Sequence, residues 1–183
     1  MAVYSAFADI LDYPAGPIER LLAEIALECP EARASIEAFQ GATQEKSTGE
    51  LQEIYIKAFD LRPDCTPNLG YHLFGDDGRR GLFLAELKGR MEAAGIALGS
   101  ELPDHLSLVL RFVDRVAEER AALIEDCMLP ALARVADILD ATENPYKHAV
   151  RALLSFLERE QPASSELESS EPAWSNALFV IKD

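Results

Sequence analysis

The sequence predicts an all-α protein, a single-domain helical bundle of about eight to ten helices. Three observations support this prediction. Apolar residues recur at helical spacing along most of the chain, the strict alternation typical of strands is almost absent, and helix start and stop signals separate the periodic segments. With 183 residues, 49% of them apolar, the chain is long enough to bury one sizeable core.

The first helices are bounded by proline and glycine. An apolar face that begins at Tyr4 defines a short first helix, which ends at the Pro-Ala-Gly turn of residues 14–16. A second helix ends near Cys29, Pro30 can open a third, and Gly41 is expected to stop it. These signals predict three short amphipathic helices in the first part of the chain.

The middle of the chain combines helices with irregular segments. Polar residues 41–49 are predicted to be a loop, and residues 47–50 (STGE) have the spacing of a capping box that starts a fourth helix. Residues 62–64 (RPD) end this helix and an irregular connection follows. The short apolar segment 69–74 then precedes a turn at residues 75–78 (GDDG).

Helical periodicity returns in the second half of the chain. It covers residues 80–91, and Pro103 opens a longer helix whose apolar face is predicted to continue to Ala117. The next helix, from about residue 119 to 139, is expected to be kinked or split at Pro130. Asn144 supplies the N-cap of the last clear helix.

The composition changes after this last helix. Residues 161–172 are rich in Ser, Glu and Pro, and residues 179–181 (FVI) form a short apolar island. We therefore predict a helical domain over residues 1–160 and a solvated acidic tail with a short apolar end over residues 161–183.

The charge of the chain excludes two classes of partner. It has 17 Lys and Arg against 32 Asp and Glu, for a net charge of −15. Binding to phosphates requires a basic face, so nucleic acid and anionic membrane surfaces are excluded. No stretch approaches the roughly 20 apolar residues of a membrane span, and we expect no stable membrane association. A peptide with positive charge beside an apolar run suits such a protein, because carboxylates steer the charge and an apolar cleft buries the rest.

Cysteine usage indicates a reducing compartment. The chain has 3 cysteines, an odd number, and they form no Cys-x-x-Cys pair. Residues 1–12 lack the basic start of a secretory signal. These features predict a cytoplasmic protein.

The usual motifs of catalysis are absent from the sequence. It has no phosphate-binding Gly-rich loop, and no Glu stands three residues before any histidine, as a di-iron bundle requires. The pair Asp104–His105 could bind metal or move protons. The simpler interpretation is that Asp104 favours the helix start after Pro103 and that His105 makes a structural hydrogen bond. We therefore expect no catalytic residue, no metal site and no cofactor.

Two segments carry a more specific signal. The first comprises residues 59–61 (FDL), 69–76 (LGYHLFGD) and 79–81 (RRG). The second comprises residues 101–106 (ELPDHL) and the apolar positions that follow. In this order they resemble the NarJ group of molybdoenzyme assembly chaperones, within the wider TorD/DmsD family. The resemblance covers Tyr4 to about Glu160 and implies the TorD-like type of helical bundle. The acid-x-Pro-Asp-His-Leu pattern is its most telling part.

The resemblance implies a cytoplasmic chaperone without catalytic activity. Such proteins bind the N-terminal region of a molybdoenzyme catalytic subunit, often a twin-arginine leader or its remnant. They hold the apoenzyme open until the molybdenum cofactor is inserted, and they discourage premature docking to the membrane anchor subunit. The expected client is the alpha subunit of a respiratory nitrate reductase. Residues 75–78 depart from the Gly-Asp-Ser-Arg of nitrate reductase chaperones, so another molybdoenzyme of the same family is the alternative client.

The resemblance also implies a set of peptide-binding residues. Asp104 would offer charge to an arginine of the client, His105 would add a switchable hydrogen bond, and Glu101 would add charge at the rim. The amphipathic wall of the groove and its acidic edge would be formed by Tyr71, His72, Phe74 and Asp76. Helical spacing alone would instead place Tyr71 and Phe74 in the core.

Other interpretations stay open from the sequence. A metal-dependent hydrolase centred on His105 would hold stoichiometric metal. An interaction protein that works through residues 179–181 would lose binding when the residues after Glu160 are deleted. The loop at residues 41–49 is a candidate hinge for exchange of helices in a homodimer.

Overall fold

The computed structural model describes residues 3–160, and its regular structure is helical across that range. The α-helices are α1 (Val3–Ile10), α2 (Glu19–Glu28), α3 (Arg33–Thr43), α4 (Thr48–Tyr55), α5 (Leu69–Phe74), α6 (Gly78–Ala93), α7 (Leu106–Arg115), α8 (Ala117–Leu123), α9 (Leu129–Asp140) and α10 (Tyr146–Glu160). Two π-helical segments, Ile56–Asp60 and Ile124–Met128, and a 3₁₀ turn at Pro63–Cys65 are the other helical elements of this range. The all-α prediction is confirmed, while the predicted tail lies outside the described residues.

Helix α7 lies at the centre of the bundle. Residues 106–110 are buried one after another. Successive helical residues point about 100° apart, so this run faces neighbours on every side of the helix. Helix α1 packs along α7, and α10 packs against α3 and α9. The largest fully buried side chains include Phe7, Ile36, Phe39, Phe83, Phe112 and Tyr146.

Polar contacts fix α1 on α7 and so position the residues that follow α1. The Ser5 hydroxyl donates to Asp114 at 2.7 Å, and Arg111 Nη2 donates to Asp9 at 2.8 Å. The same Nη2 lies 3.4 Å from a carboxylate oxygen of Asp12. The start of the loop between α1 and α2 is therefore anchored to the central helix.

The end of α3 and the start of α4 can be compared with the predicted stop at Gly41 and the predicted capping box. The capping box of α4 is confirmed, because the Ser47 hydroxyl accepts from the Glu50 N–H at 3.3 Å and the Glu50 carboxylate accepts from the Ser47 N–H at 2.8 Å. The expected stop at Gly41 is wrong, since α3 continues to Thr43. An exposed glycine inside a helix costs only about 1 kcal/mol relative to alanine, which the rest of α3 can tolerate. The predicted loop shortens to residues 44–47.

Helix α7 is shorter at both ends than predicted. It begins at Leu106 rather than after Pro103, because the preceding backbone pairs with another segment. The Leu69 N–H donates to the Asp104 carbonyl and the Leu106 N–H to the Pro67 carbonyl, both at 2.9 Å. The helix ends at Arg115, and the exposed Ala117 belongs to α8.

The expected interruption near Pro130 takes the form of a π-helical segment. Pro130 itself lies in the first turn of α9, and the irregular residues Ile124–Met128 come just before it. A proline has no N–H to bond to the carbonyl four residues earlier, so the regular ladder cannot continue through this point.

Candidate functional site

A pocket of about 560 Å³ opens where the loop after α1, the end of α4, helix α5 and the start of α7 meet. We refer to it as the acidic pocket. It is lined by the carboxylates Asp12, Asp60, Asp76 and Glu101, by the aromatic residues Tyr13, Tyr55, Phe59 and Tyr71, and by Pro63, Thr66, Pro67, Asn68, Arg80 and His105. Because these carboxylates carry more negative charge than the Arg80 guanidinium compensates, the pocket attracts cations.

The π-helical segment after α4 brings two residues to this pocket. Tyr55 ends α4, and Phe59 and Asp60 follow within the π-helical turn. The Phe59 ring packs on Tyr55 with 4.9 Å between the ring centroids, whereas the Asp60 side chain is exposed. The wider turn of a π-helix changes the direction of the side chains that follow it, which places a carboxylate next to an aromatic wall.

Backbone pairing holds another part of the pocket together. An isolated antiparallel bridge joins Asn68 to His105, so the connection before α5 lies against the start of α7. Nε2 of the buried His72 lies 2.7 Å from the carbonyl oxygen of Thr66, and this nitrogen is therefore the donor. His72 thus fastens the same connection to α5.

Asp104 forms a buried junction behind the pocket. Its carboxylate is fully buried, and its Oδ2 accepts from Gly70 N–H at 3.1 Å and from Arg80 Nε at 3.1 Å. Burial raises the pKa of Asp104, and the Arg80 charge opposes that rise. The junction joins α5, α6 and the start of α7, and it directs Arg80 to the pocket wall.

His105 is the N-cap of α7. Its Nδ1 accepts from Ser107 N–H at 3.3 Å, so the proton of the neutral ring is on Nε2, which lies 4.0 Å from Glu101 Oε2. Burial lowers the pKa of His105, and the nearby carboxylates oppose that change only in part. The ring therefore offers a hydrogen-bond donor towards the acidic pocket.

Several pocket carboxylates lack a cationic partner among the described side chains. Within residues 3–160, no Lys or Arg forms an ion pair with Asp60, Asp76 or Glu101, whereas Asp12 is paired weakly with Arg111. Burial raises the pKa of Tyr55, and the charges of Asp12 and Asp60 raise it further. The pocket therefore holds negative charge that an arriving cation can neutralise.

The structure separates the residues predicted for the site into two groups. Glu101, His105, Tyr71 and Asp76 line the acidic pocket. The other three lie outside its lining: Asp104 is paired with Arg80, His72 with the Thr66 carbonyl, and Phe74 packs on Phe83 with 5.5 Å between ring centroids. Tyr71, whose helical spacing alone suggested a core position, is only half-buried.

Several residues of the pocket wall were not among the binding residues predicted from the sequence. These are Asp12, Tyr13, Tyr55, Phe59, Asp60 and Arg80. Some of them stood in the quoted segments 59–61 and 79–81, so the signal was present without a role. Tyr13 had a weaker signal, an aromatic residue beside Asp12 after the apolar face of α1 has ended.

Residues 3–160 hold neither a candidate metal site nor a candidate membrane span. No three His, Cys, Asp or Glu side chains converge there as a metal site would require. Among the helices of that range, none is both long enough and apolar enough to cross a bilayer.

The sequence of the chain matches a known protein family. The family model for the nitrate reductase delta subunit matches residues 22–160, which is most of the sequence. The chain belongs to the nitrate reductase delta subunit family. The region matched by this family includes every residue of the acidic pocket except Asp12 and Tyr13.

A curated protein shows a more detailed similarity to the chain. The chain is 29% identical over 109 residues to a protein of Bacillus subtilis (strain 168) described as a probable nitrate reductase molybdenum cofactor assembly chaperone NarJ. This match spans 59% of the chain and 59% of the length of that relative. The resemblance predicted from the sequence motifs is confirmed at the level of the family.

Proposed function

We propose that this protein is a cytoplasmic assembly chaperone that binds the N-terminal region of a molybdoenzyme catalytic subunit in the acidic pocket. The expected client is the alpha subunit of a respiratory nitrate reductase, held until its molybdenum cofactor is inserted and before it docks at the membrane. The observation that carries the proposal is the clustering of carboxylates and aromatic rings in one pocket of a delta subunit family member. Binding itself is the activity, and we assign no catalytic residue.

The charges of the pocket favour a basic side chain. Asp60, Asp76 and Glu101 face the pocket without a Lys or Arg ion-pair partner among the described residues. A guanidinium can bond two oxygens at once, and charge-assisted hydrogen bonds are about twice as strong as neutral ones. An arginine of the client therefore gains more in this pocket than a neutral residue does.

The aromatic residues of the pocket suit the same ligand. Tyr13 and Tyr55 pack edge to face with 5.7 Å between ring centroids, and Tyr71 has the Arg80 guanidinium carbon 5.9 Å from its centroid. Guanidinium groups stack on aromatic faces with a favourable energy of about 0.5–2 kcal/mol. The pocket already accommodates one guanidinium in this way.

Exposed apolar residues flank the pocket carboxylates. Leu61 is 69% exposed and directly follows Asp60, and Leu102 is 45% exposed and directly follows Glu101. Isolated exposed leucines are common, and neither of these two lines the pocket itself, but each adds exposed apolar surface next in sequence to a lining carboxylate. Exposed apolar surface beside carboxylates suits a peptide in which apolar residues adjoin a positive charge.

The remaining predicted residues support the pocket in this proposal. Asp104 positions Arg80, and His72 positions the connection at Thr66. Phe74 packs beside α6, where its ring also has the Arg79 guanidinium carbon 5.9 Å from its centroid. The buried free cysteines of the chain are compatible with the reducing conditions of the cytoplasm.

Calorimetric titration tests the proposal directly. The titrant is the N-terminal peptide of the molybdoenzyme catalytic subunit encoded nearest to this chain, at low and at high salt. We expect saturable binding that weakens with salt, because the interaction is between opposite charges. Neutralising Asp76 and Glu101 together (D76N, E101Q) should weaken binding at least tenfold and reduce its salt dependence.

Glu37 supplies the matched control. It is an exposed carboxylate of α3 outside the lining of the acidic pocket, so E37Q removes one charge without changing the site, whereas each single pocket variant, D76N or E101Q, removes one charge from the pocket wall. Absence of binding at both salt concentrations by the folded protein would refute the proposed client interaction. Equal effects of E37Q and of the pocket variants would show that net charge, rather than the acidic pocket, determines affinity.

A further inference from the structure

A second pocket adjoins the acidic pocket. It has a volume of about 230 Å³ and is formed by the end of α1, the loop that follows and the start of α2. Asp12 and Tyr13 line both pockets, so the two share a wall. We refer to the second one as the apolar pocket. Tyr13 is 46% exposed at this shared wall, although large aromatic side chains are usually well covered.

The lining of the apolar pocket differs in chemistry from that of its neighbour. Pro14, Pro17, Ile18 and Leu21 contribute carbon surface to its lining. Its two carboxylates, Asp9 and Asp12, share one cation, since Arg111 Nη2 lies 2.8 Å from Asp9 and 3.4 Å from Asp12. The guanidinium compensates one of these two charges, whereas in the acidic pocket Asp60, Asp76 and Glu101 have no Lys or Arg partner among the described residues.

We propose that one client peptide occupies both pockets at once. A basic side chain enters the acidic pocket, the peptide crosses Tyr13, and an apolar side chain a few residues away enters the apolar pocket. This inference rests on the proposed function and adds a second subsite to it. The volume of the apolar pocket is below the range typical of small-molecule sites and suits a single large side chain such as leucine or phenylalanine.

The shared wall favours one occupant over two separate ligands. When two pockets are filled from one chain, the second contact forms at high effective concentration, so the affinities reinforce each other. Specificity then depends on both residue types and on the number of residues between them. A peptide that carries only positive charge, or only apolar residues, fills half of the site.

Gly16 offers a way to close the apolar pocket without disturbing the core. It lines the pocket, it is not in the left-handed region, and a Cβ added to it meets no atom within 4 Å. A leucine at this position (G16L) should occupy the space intended for the ligand. The matched control is G41L, because a Cβ at Gly41 also meets open space and this residue lies in α3, outside both pockets.

The experiment is a titration of each protein with two synthetic peptides. One carries arginine beside a leucine-rich run, and the other has the same arginine with every leucine replaced by alanine. We expect G16L to weaken binding of the leucine peptide about tenfold and to leave the alanine peptide unchanged, while G41L affects neither. The L21A variant removes carbon surface from the lining of the apolar pocket and should have the same selective effect.

The outcomes separate this inference from the function on which it rests. If the wild-type protein binds neither peptide nor the client peptide, the proposed function fails. If it binds both peptides equally well, or if G16L weakens them equally, the acidic pocket works alone and the two-pocket inference is overturned. Circular dichroism of G16L and L21A shows whether each variant is folded. If one of them is unfolded, the binding result of the other variant decides.

Discussion

Asp104 and Arg80 form an ion pair whose acidic member is fully buried. Arg80 Nη2 lies 3.0 Å from Asp104 Oδ2, and the Arg80 side chain is 19% exposed at the wall of the acidic pocket. The residue with the strongest sequence signal therefore neutralises a charge of its own chain. Its position explains how Asp104 can matter for the site without touching a ligand.

Replacing Asp104 by asparagine should strongly destabilise the protein. The variant leaves the Arg80 guanidinium without its carboxylate, and breaking a buried pair from one side costs about 3–5 kcal/mol. Urea unfolding of D104N measures the change in free energy of unfolding. The control is D64N, which removes the exposed Arg62–Asp64 pair and should cost less than about 1 kcal/mol. Similar losses for the two variants would contradict the structural role of the buried pair.

Replacing Gly70 by alanine should be harmful even though alanine favours helices. A Cβ at Gly70 would lie 2.7 Å from Asp104 Oδ2 and 3.0 Å from Phe83 Cδ1, so the junction behind the pocket would have to shift. Overpacking of this kind typically costs about 1–3 kcal/mol. By contrast, G81A on the exposed face of α6 meets no atom and should stabilise the protein by about 0.5–1 kcal/mol. Thermal unfolding of the two variants should therefore shift in opposite directions.

The stability of the protein should fall as the pH falls below neutrality. Burial lowers the pKa of both His72 and His105 from the ordinary value of 6.5. Below pH 6.5 the unfolded chain takes up protons at these histidines before the folded chain does, so stability is progressively lost down to the folded-state pKa values. Urea midpoints at about pH 7.5 and about pH 5.5 measure the effect.

A variant that keeps the helix cap isolates the contribution of His105. Asparagine is a strong N-cap residue, so H105N can still accept the Ser107 N–H without carrying a titratable ring. We expect a smaller loss of stability for H105N than for the wild type over the same pH interval. An identical pH dependence would mean that His105 does not contribute to it.

Replacing Tyr13 by alanine should weaken client binding without unfolding the protein. The side chain is 46% exposed, so little core packing is lost, whereas the acidic pocket loses an aromatic face next to its carboxylates. A loss of about 0.5–2 kcal/mol of binding free energy is expected. Y13F should retain most of the affinity because it keeps the ring. Titration with the client peptide compares the three proteins, and a Y13F loss as large as that of Y13A would point to the hydroxyl instead.

Much of the fold could be predicted because its signals are local. Helical periodicity, the capping box at Ser47 and the N-cap at Asn144 all depend on residues a few positions apart, and the structure confirms them. The wrong limits have tertiary causes. Helix α7 begins late because residues far away in sequence, Pro67 and Leu69, pair with the backbone around its start. No local pattern can show that pairing.

The candidate site was less predictable for the same reason. Motif resemblance identified Glu101, His105, Tyr71 and Asp76, which do line the pocket. It could not show that Asp104 is sealed behind Arg80, because burial is decided by the packing of α5 against α6. The contributions of Asp12 and Asp60 depend on the loop after α1 and on the π-helical turn, neither of which has a dependable sequence signature.

The π-helical turn at Ile56–Asp60 makes the acidic pocket sensitive to helical phase. One residue corresponds to a rotation of about 100° in an α-helix, so deleting a single residue that restores regular winding would turn Asp60 away from its present direction. A point substitution at Asp60 removes one charge, whereas such a deletion would also redirect the neighbouring aromatic wall. In this segment the length of the chain is as much a determinant of binding as the identity of its residues, and insertions and deletions there should be tolerated less well than substitutions.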